Sequence, residues 1–92
     1  MMQPWAAGGV GEVRFQAFAG DHAGARTAHL HAFTGSGEVV VELLLNGDVR
    51  LSQAHGAAVR GTVTSREQRV VLAAARDHHT ALMMLWEASQ PK

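Results

Sequence analysis

The stretch from Thr64 to Ser89 constrains the fold of this chain more than any other. Thr64 followed three residues later by Glu67 is a capping box, which satisfies backbone N–H groups that the first helical turn leaves without partners. From that start Val71, Ala74, Ala75, His78, Ala81, Leu82 and Leu85 recur at three- and four-residue steps. At about 100° per residue they share one side of a helix, so the spacing predicts one long helix over 64–89 with His78 near the centre of its apolar face. Arg66, Arg69 and Arg76 fall on the opposite side, where long basic side chains stay hydrated.

Leu82, Met83, Met84, Leu85 and Trp86 are consecutive, so they point almost all round the helix, and one sheet cannot cover them all. Leu72, Met83 and Trp86 form a second apolar flank, predicted to be an interface with another subunit or a partner protein. The alternative is that the N-terminal segment, with Trp5 and Val10, folds back over that flank.

The rest of the chain reads as sheet. Residues 1–11, with Pro4 and three glycines, are expected to be a leader that is mobile or draped over the core. Glu12 to Ala19 alternates as a strand, with Val13, Phe15 and Ala17 on one side and Arg14, Gln16 and Phe18 on the other. Asp21 to Thr27 has no period and reads as a loop into a second strand, Ala28 to Thr34. Gly35, Ser36 and Gly37 make a turn. Glu38 to Leu45 is the plainest strand, and Asn46-Gly47-Asp48 after it is a hairpin signal. A three-residue loop there places Leu45 opposite Val49 and Leu43 opposite Leu51, keeping the apolar residues on one face. Val49 to Gln53 and a short Ala58 to Thr62 complete the sheet over 12–62. The expectation is a single α+β domain spanning 1–92, an antiparallel β-meander of four to five strands packed on one long C-terminal α-helix.

Composition narrows the function classes. Without cysteine the chain forms no disulfide, thiolate metal site or thiol nucleophile, and a reducing cytoplasm is the natural compartment. The formal charge is zero with histidines neutral, which argues against nucleic acid or an anionic membrane as the main partner. No apolar run approaches a membrane span, and no basic region precedes an apolar run near Met1.

Asp21, His22, His29 and His31 are the residues whose types invite a chemical reading. Positions two apart on a strand face the same way, so His29 and His31 can present two imidazoles side by side. A divalent metal such as zinc, nickel or manganese needs one or two ligands more, which Asp21, His22 or His78 could supply. His78, pressed on a sheet, must find a ring partner or cost about 1–3 kcal/mol. The plainer reading gives His29 and His31 to solvent or backbone carbonyls and makes His78 a satisfied core residue. Catalysis in its minimal form would use His22 or His31 with Asp21 as the orienting carboxylate. Ser36, in Gly-Ser-Gly, is a turn residue rather than a nucleophile.

The order Asp21-His22, His29-Leu30-His31, a hairpin opened by the strand Gly37 to Leu43, and a helix from Val71 to Trp86 closing on Leu82 and Trp86 resembles a small bacterial family, the domain of unknown function numbered four-one-six-zero. The likeness spans about Val13 to Ala88, with Ala23 to Ala28 standing where the family has a short proline linker. The resemblance implies a small cytoplasmic partner-binding protein, similar in arrangement to toxin–antitoxin pairs, and no named reaction. Two functional expectations follow. One is a non-catalytic protein-interaction module, a homo-oligomer or the partner of a second small protein. The other is a metal-binding histidine cluster with hydrolase or nuclease activity.

Overall fold

Six strands form one antiparallel sheet, and two helices follow it in the chain, an α+β arrangement. The structure, a computed structural model, describes residues 2–7, 11–17, 28–52 and 58–89. Strands β1 (Met2–Ala7), β2 (Gly11–Gln16), β3 (Ala28–Phe33) and β4 (Gly37–Leu43) pair in chain order. Residues 2–7, expected in a leader, are thus the outer strand of the sheet, with Pro4 opposite Arg14. A proline is tolerated at such a position because an outer strand has ladder positions with no donor to supply.

The meander runs on to β5 (Val49–Leu51), as expected, and β6 (Val59–Gly61) leaves it. Strand β5 pairs with Val41–Leu43 of β4, whereas β6 returns to pair with Gly37–Val39 of the same strand. Val40 stands at the junction, donating its N–H to the carbonyl of Ala58 (2.7 Å) and accepting from the N–H of Ser52 (2.9 Å). The two short strands are therefore successive halves of one sheet edge. Backbones approach closely where β6 makes that return: a Cβ on Gly37 would collide with the Arg60 carbonyl oxygen, and one on Gly61 (φ +89°) would lie 2.6 Å from that of Ser36.

The β4–β5 hairpin has a three-residue loop, but one residue earlier than expected. Leu44 donates to the Asp48 carbonyl (2.9 Å) and Gly47 to the Leu44 carbonyl (3.1 Å), so Leu45-Asn46-Gly47 is the loop and Leu43 faces Val49. The expected register gave the last loop position to Asp48. That position takes a positive φ, and Gly47 (φ +91°) adopts it without the clash a side chain brings. The Asn46 Oδ1 accepts from the Asp48 N–H at 2.9 Å, closing the turn. Each pairing slides by two residues, so every side chain keeps its face, but Leu45 leaves the ladder for the turn.

The C-terminal segment is two helices, α1 (Ser65–Asp77) and α2 (His79–Ser89), not one. Its start is as the sequence predicts, with Thr64 as N-cap and Glu67 completing the reciprocal box. The break falls at His78 (φ −109°, ψ 24°), within Asp77-His78-His79-Thr80, four successive residues of modest helix propensity. Tertiary contacts on both sides of the break hold it. Arg76 Nε donates to Asp48 Oδ1 (3.0 Å), and His79 Nε2 donates to the Leu44 carbonyl (2.7 Å). His79 thus bonds the chain just past the end of β4 from the first turn of α2.

The core lies between the helices and one face of the sheet. Val13 and Phe15 of β2, Leu30 and Ala32 of β3 and Val39, Val41 and Leu43 of β4 pack with Val71, Ala74, Ala75, Leu82 and Leu85. The sheet curves so that α1 meets β1 as well as β4 and β5, while α2 lies against β3. Of the predicted stripe, Ala81 is exposed and His78 half-buried; the break at His78 takes both out of line with the residues on either side. Arg66, Arg69 and Arg76 face outward as expected.

Candidate functional site

Strand alternation gives the sheet a second face, away from the core. It carries His29, His31 and Phe33 on β3, and Glu38, Val40 and Glu42 on β4. Registration places Glu42 between His29 and Arg50, and Glu38 beside Arg60 on the neighbouring edge strand. Glu42 is thereby bracketed by two basic side chains, while Glu38, four residues away, has Phe33 on one side and Arg60 on the other.

Glu42 is 3% exposed, and a carboxylate so far from water needs strong partners. Arg50 Nε donates to its Oε1 at 2.7 Å and the Ser52 hydroxyl to its Oε2 at 3.2 Å. At the second carboxylate, His31 donates from Nδ1 to Glu38 Oε2 (2.5 Å), while Arg60 Nη1 stands 3.7 Å from Oε1. Accepting the Nδ1 proton orients the imidazole, the relation by which a carboxylate positions a general base or a metal ligand.

His29, only 4% exposed, lies with its ring centroid 6.0 Å from that of His31 and 4.7 Å from the indole of Trp86. The strand therefore brings these two histidines together as the two-residue spacing predicts. His78 is elsewhere, at the helix break, lining a shallow surface hollow with Asp77, Thr80 and Met84. Among the described residues no group of three histidine, cysteine, aspartate or glutamate side chains could hold a metal ion. Asp21 and His22, the candidate catalytic pair, lie outside the described residues, as does Val10.

The predicted interface flank is differently distributed. Leu72 and Met83 are partly buried and pack against the core, and Trp86 is half-buried against His29. Among the described residues the large apolar side chains that stand out in water are Leu45, 97% exposed, and Met84, 65% exposed. Leu45, Leu44, Leu43, Ala28, Met83 and Trp86, with Glu87 beside them, line an open groove of about 360 Å³ between the β4–β5 turn and α2.

Both ends of α1 are tied to sheet turns through carboxylates. Glu67 Oε2 accepts from the Ser36 hydroxyl at 2.8 Å, so the capping box also fastens the β3–β4 turn. Its carboxyl is held below the usual value by the Thr64 backbone N–H first, then by that hydroxyl. Asp48 is likewise held low, first by the Val49 backbone N–H and then by Arg76. Ser36 thus has a structural partner in the turn that its glycine neighbours announced.

Glu38, Glu42 and Leu45 are absent from the residues that the sequence pattern singles out. The carboxylates carry a signal nonetheless: alternation along β4 puts both opposite Val39 and Val41, on the face where His29 and His31 also fall. Leu45 has one too, in the glycine two positions after it.

Fold and site together define a small α+β protein with a polar, ion-paired sheet face and an apolar groove at one end. No family model matches the chain, and neither a curated protein nor a solved structure does so. No helix among the described residues is long and apolar enough to cross a membrane.

Proposed function

We propose that this chain is a non-catalytic protein-interaction module that self-associates, working in the cytoplasm, a compartment that suits a chain without cysteine. The observation that carries the reading is the groove beside α2, where Leu45 stands almost wholly in water next to the apolar walls of Met83 and Trp86. Apolar surface gathered in one place favours association because covering it releases water, at about 25 cal/mol per Å². A small partner-binding protein is also what the resemblance to the toxin–antitoxin-like family implies. Sedimentation velocity of the purified chain tests the reading, from about 5 µM to about 200 µM, concentrations that span the dissociation constants of modest dimers. The expected result is a sedimentation coefficient that rises with concentration. One monomeric species throughout would overturn the proposal.

A second reading is a divalent-metal site for hydrolysis, with zinc, nickel or manganese as the ion; the adjacent imidazoles of His29 and His31 support it, and it needs ligands beyond the described residues, no three of which could hold an ion. Metal bound only by the folded chain raises its stability by mass action. Under this reading the melting temperature rises with added metal, and changing both His29 and His31 to alanine removes the rise. Melting that is indifferent to metal and to chelator favours the interaction module.

A further inference from the structure

We infer that the partner in the groove is a second copy of this chain, docked about a two-fold axis so that Leu45 of each copy fills the groove of the other. The inference rests on the self-association reading and adds to it the surface, the symmetry and the anchor.

The turn holds the backbone on both sides of Leu45 in place. Its neighbours are tied at several points: Gly47 and His79 both donate to the Leu44 carbonyl, Asn46 Oδ1 holds the Asp48 N–H, and Arg76 holds the Asp48 carboxylate. A turn whose backbone is held in place before binding loses little backbone freedom on binding, so burying its side chain yields more apolar free energy as affinity. An exposed leucine on a floppy turn would lose much of that gain. The fastening of this turn to the break between α1 and α2 is what makes Leu45 a preformed plug.

Plug and socket belong to one patch. Leu45 is itself a wall of the groove formed with Ala28, Leu43, Met83 and Trp86. A patch that carries both complementary shapes can pair with its own copy by a two-fold rotation, and that arrangement closes as a dimer; shapes on opposite sides would instead build a filament. Electrostatics admit the same occupant. Among the described walls of the groove Glu87 alone is charged, Asp48 is neutralised by Arg76 at 3.0 Å, and the chain is formally neutral, so no net charge opposes the docking of a second copy. A strongly charged partner would find little to pair with.

The test compares the wild type with Leu45→Asp and Met84→Asp by sedimentation velocity, alongside a cross-linking experiment. Leu45 sits in a turn in water, so Leu45→Asp leaves the monomer folded, which circular dichroism checks. The expected result is a dissociation constant at least about tenfold higher for Leu45→Asp, the equivalent of about 1.4 kcal/mol, and little change for Met84→Asp, which lies outside the groove. The chain has no cysteine, so Leu45→Cys and Met83→Cys chains can be mixed under mild oxidant, and the mixed disulfide should form in excess over either homodisulfide. A dimer that survives Leu45→Asp overturns this inference while leaving self-association by another surface. A monomeric wild type overturns both. So does a monomer whose groove instead takes up a foreign amphipathic helix in a Leu45-dependent way.

Discussion

The two faces of β4 are built from alternate residues of a single strand and are closed by opposite chemistry. Val39, Val41 and Leu43 point to the helices and pack with Val71, Ala75 and Leu82, all nearly inaccessible to water. Glu38, Val40 and Glu42 point the other way, where Val40 is fully buried between two carboxylates bound by Arg50, Ser52, His31 and Arg60. One face depends on volume, since any apolar side chain of the right size restores it. The other depends on donors meeting acceptors, since a buried carboxylate tolerates no mismatch. Alternation assigns a residue to a face, while the chemistry across strands decides whether that face is closed.

Truncation on the helix side should have the largest effect. Leu82→Ala, at a fully buried position, is expected to lower unfolding free energy by about 2–5 kcal/mol in urea titration. On the polar side, Glu42→Ala removes the acceptor for Arg50 and Ser52 and should cost about 1–3 kcal/mol. Glu42→Leu sharpens the contrast: a face closed by volume alone would regain wild-type stability, whereas one closed by donor matching stays destabilised, because the Ser52 hydroxyl is left without that acceptor. At the edge shared by both faces, Gly61→Ala forces a side chain into a positive φ and against the Ser36 carbonyl, a loss of about 1–3 kcal/mol readable as a lower melting temperature.

Smaller still is the effect of the capping carboxylate. Glu67 is held below its ordinary pKa of 4.5 in the folded chain, so the unfolded chain takes up its proton first. Its contribution is fully present above that value and is lost as pH falls through the lower folded pKa. Stability followed by thermal melting should therefore decline below about pH 4.5 in the wild type and decline less steeply in Glu67→Gln. Equal slopes in the two proteins would show that the link between helix start and sheet turn is silent. Least of all, Leu45→Asp should leave monomer unfolding within about 0.5 kcal/mol of wild type, as befits a side chain exposed on a turn.

Much of the helix-facing half is legible in the order of the residues alone. Val13, Phe15 and Ala17 alternate into the core, the arginines of α1 face water, and the Thr64–Glu67 box starts the helix where the residues place it. The polar face is legible only in part. Two-residue spacing brings His29 and His31 side by side, but nothing in their spacing announces Glu38, which is seven residues from His31 and meets it through the hairpin. The hairpin register is nearly readable, since a glycine two residues beyond Leu45 marks the loop position that needs a positive φ.

What the sequence determined by itself is short-range: which residues alternate, which cap, which periodicity repeats. These depend on backbone geometry within a few residues, and so they survive in any fold the chain adopts. Tertiary structure decided the rest. The amphipathic run from Thr64 to Ser89 breaks at His78 because Arg76 and His79 fasten it to the β4–β5 turn, contacts that span 28 and 35 residues. Backbone pairing between distant segments also returns β6 to β4, and Leu45 is left in water. A local pattern can state that a side chain is apolar; whether it is covered depends on where distant segments come to rest.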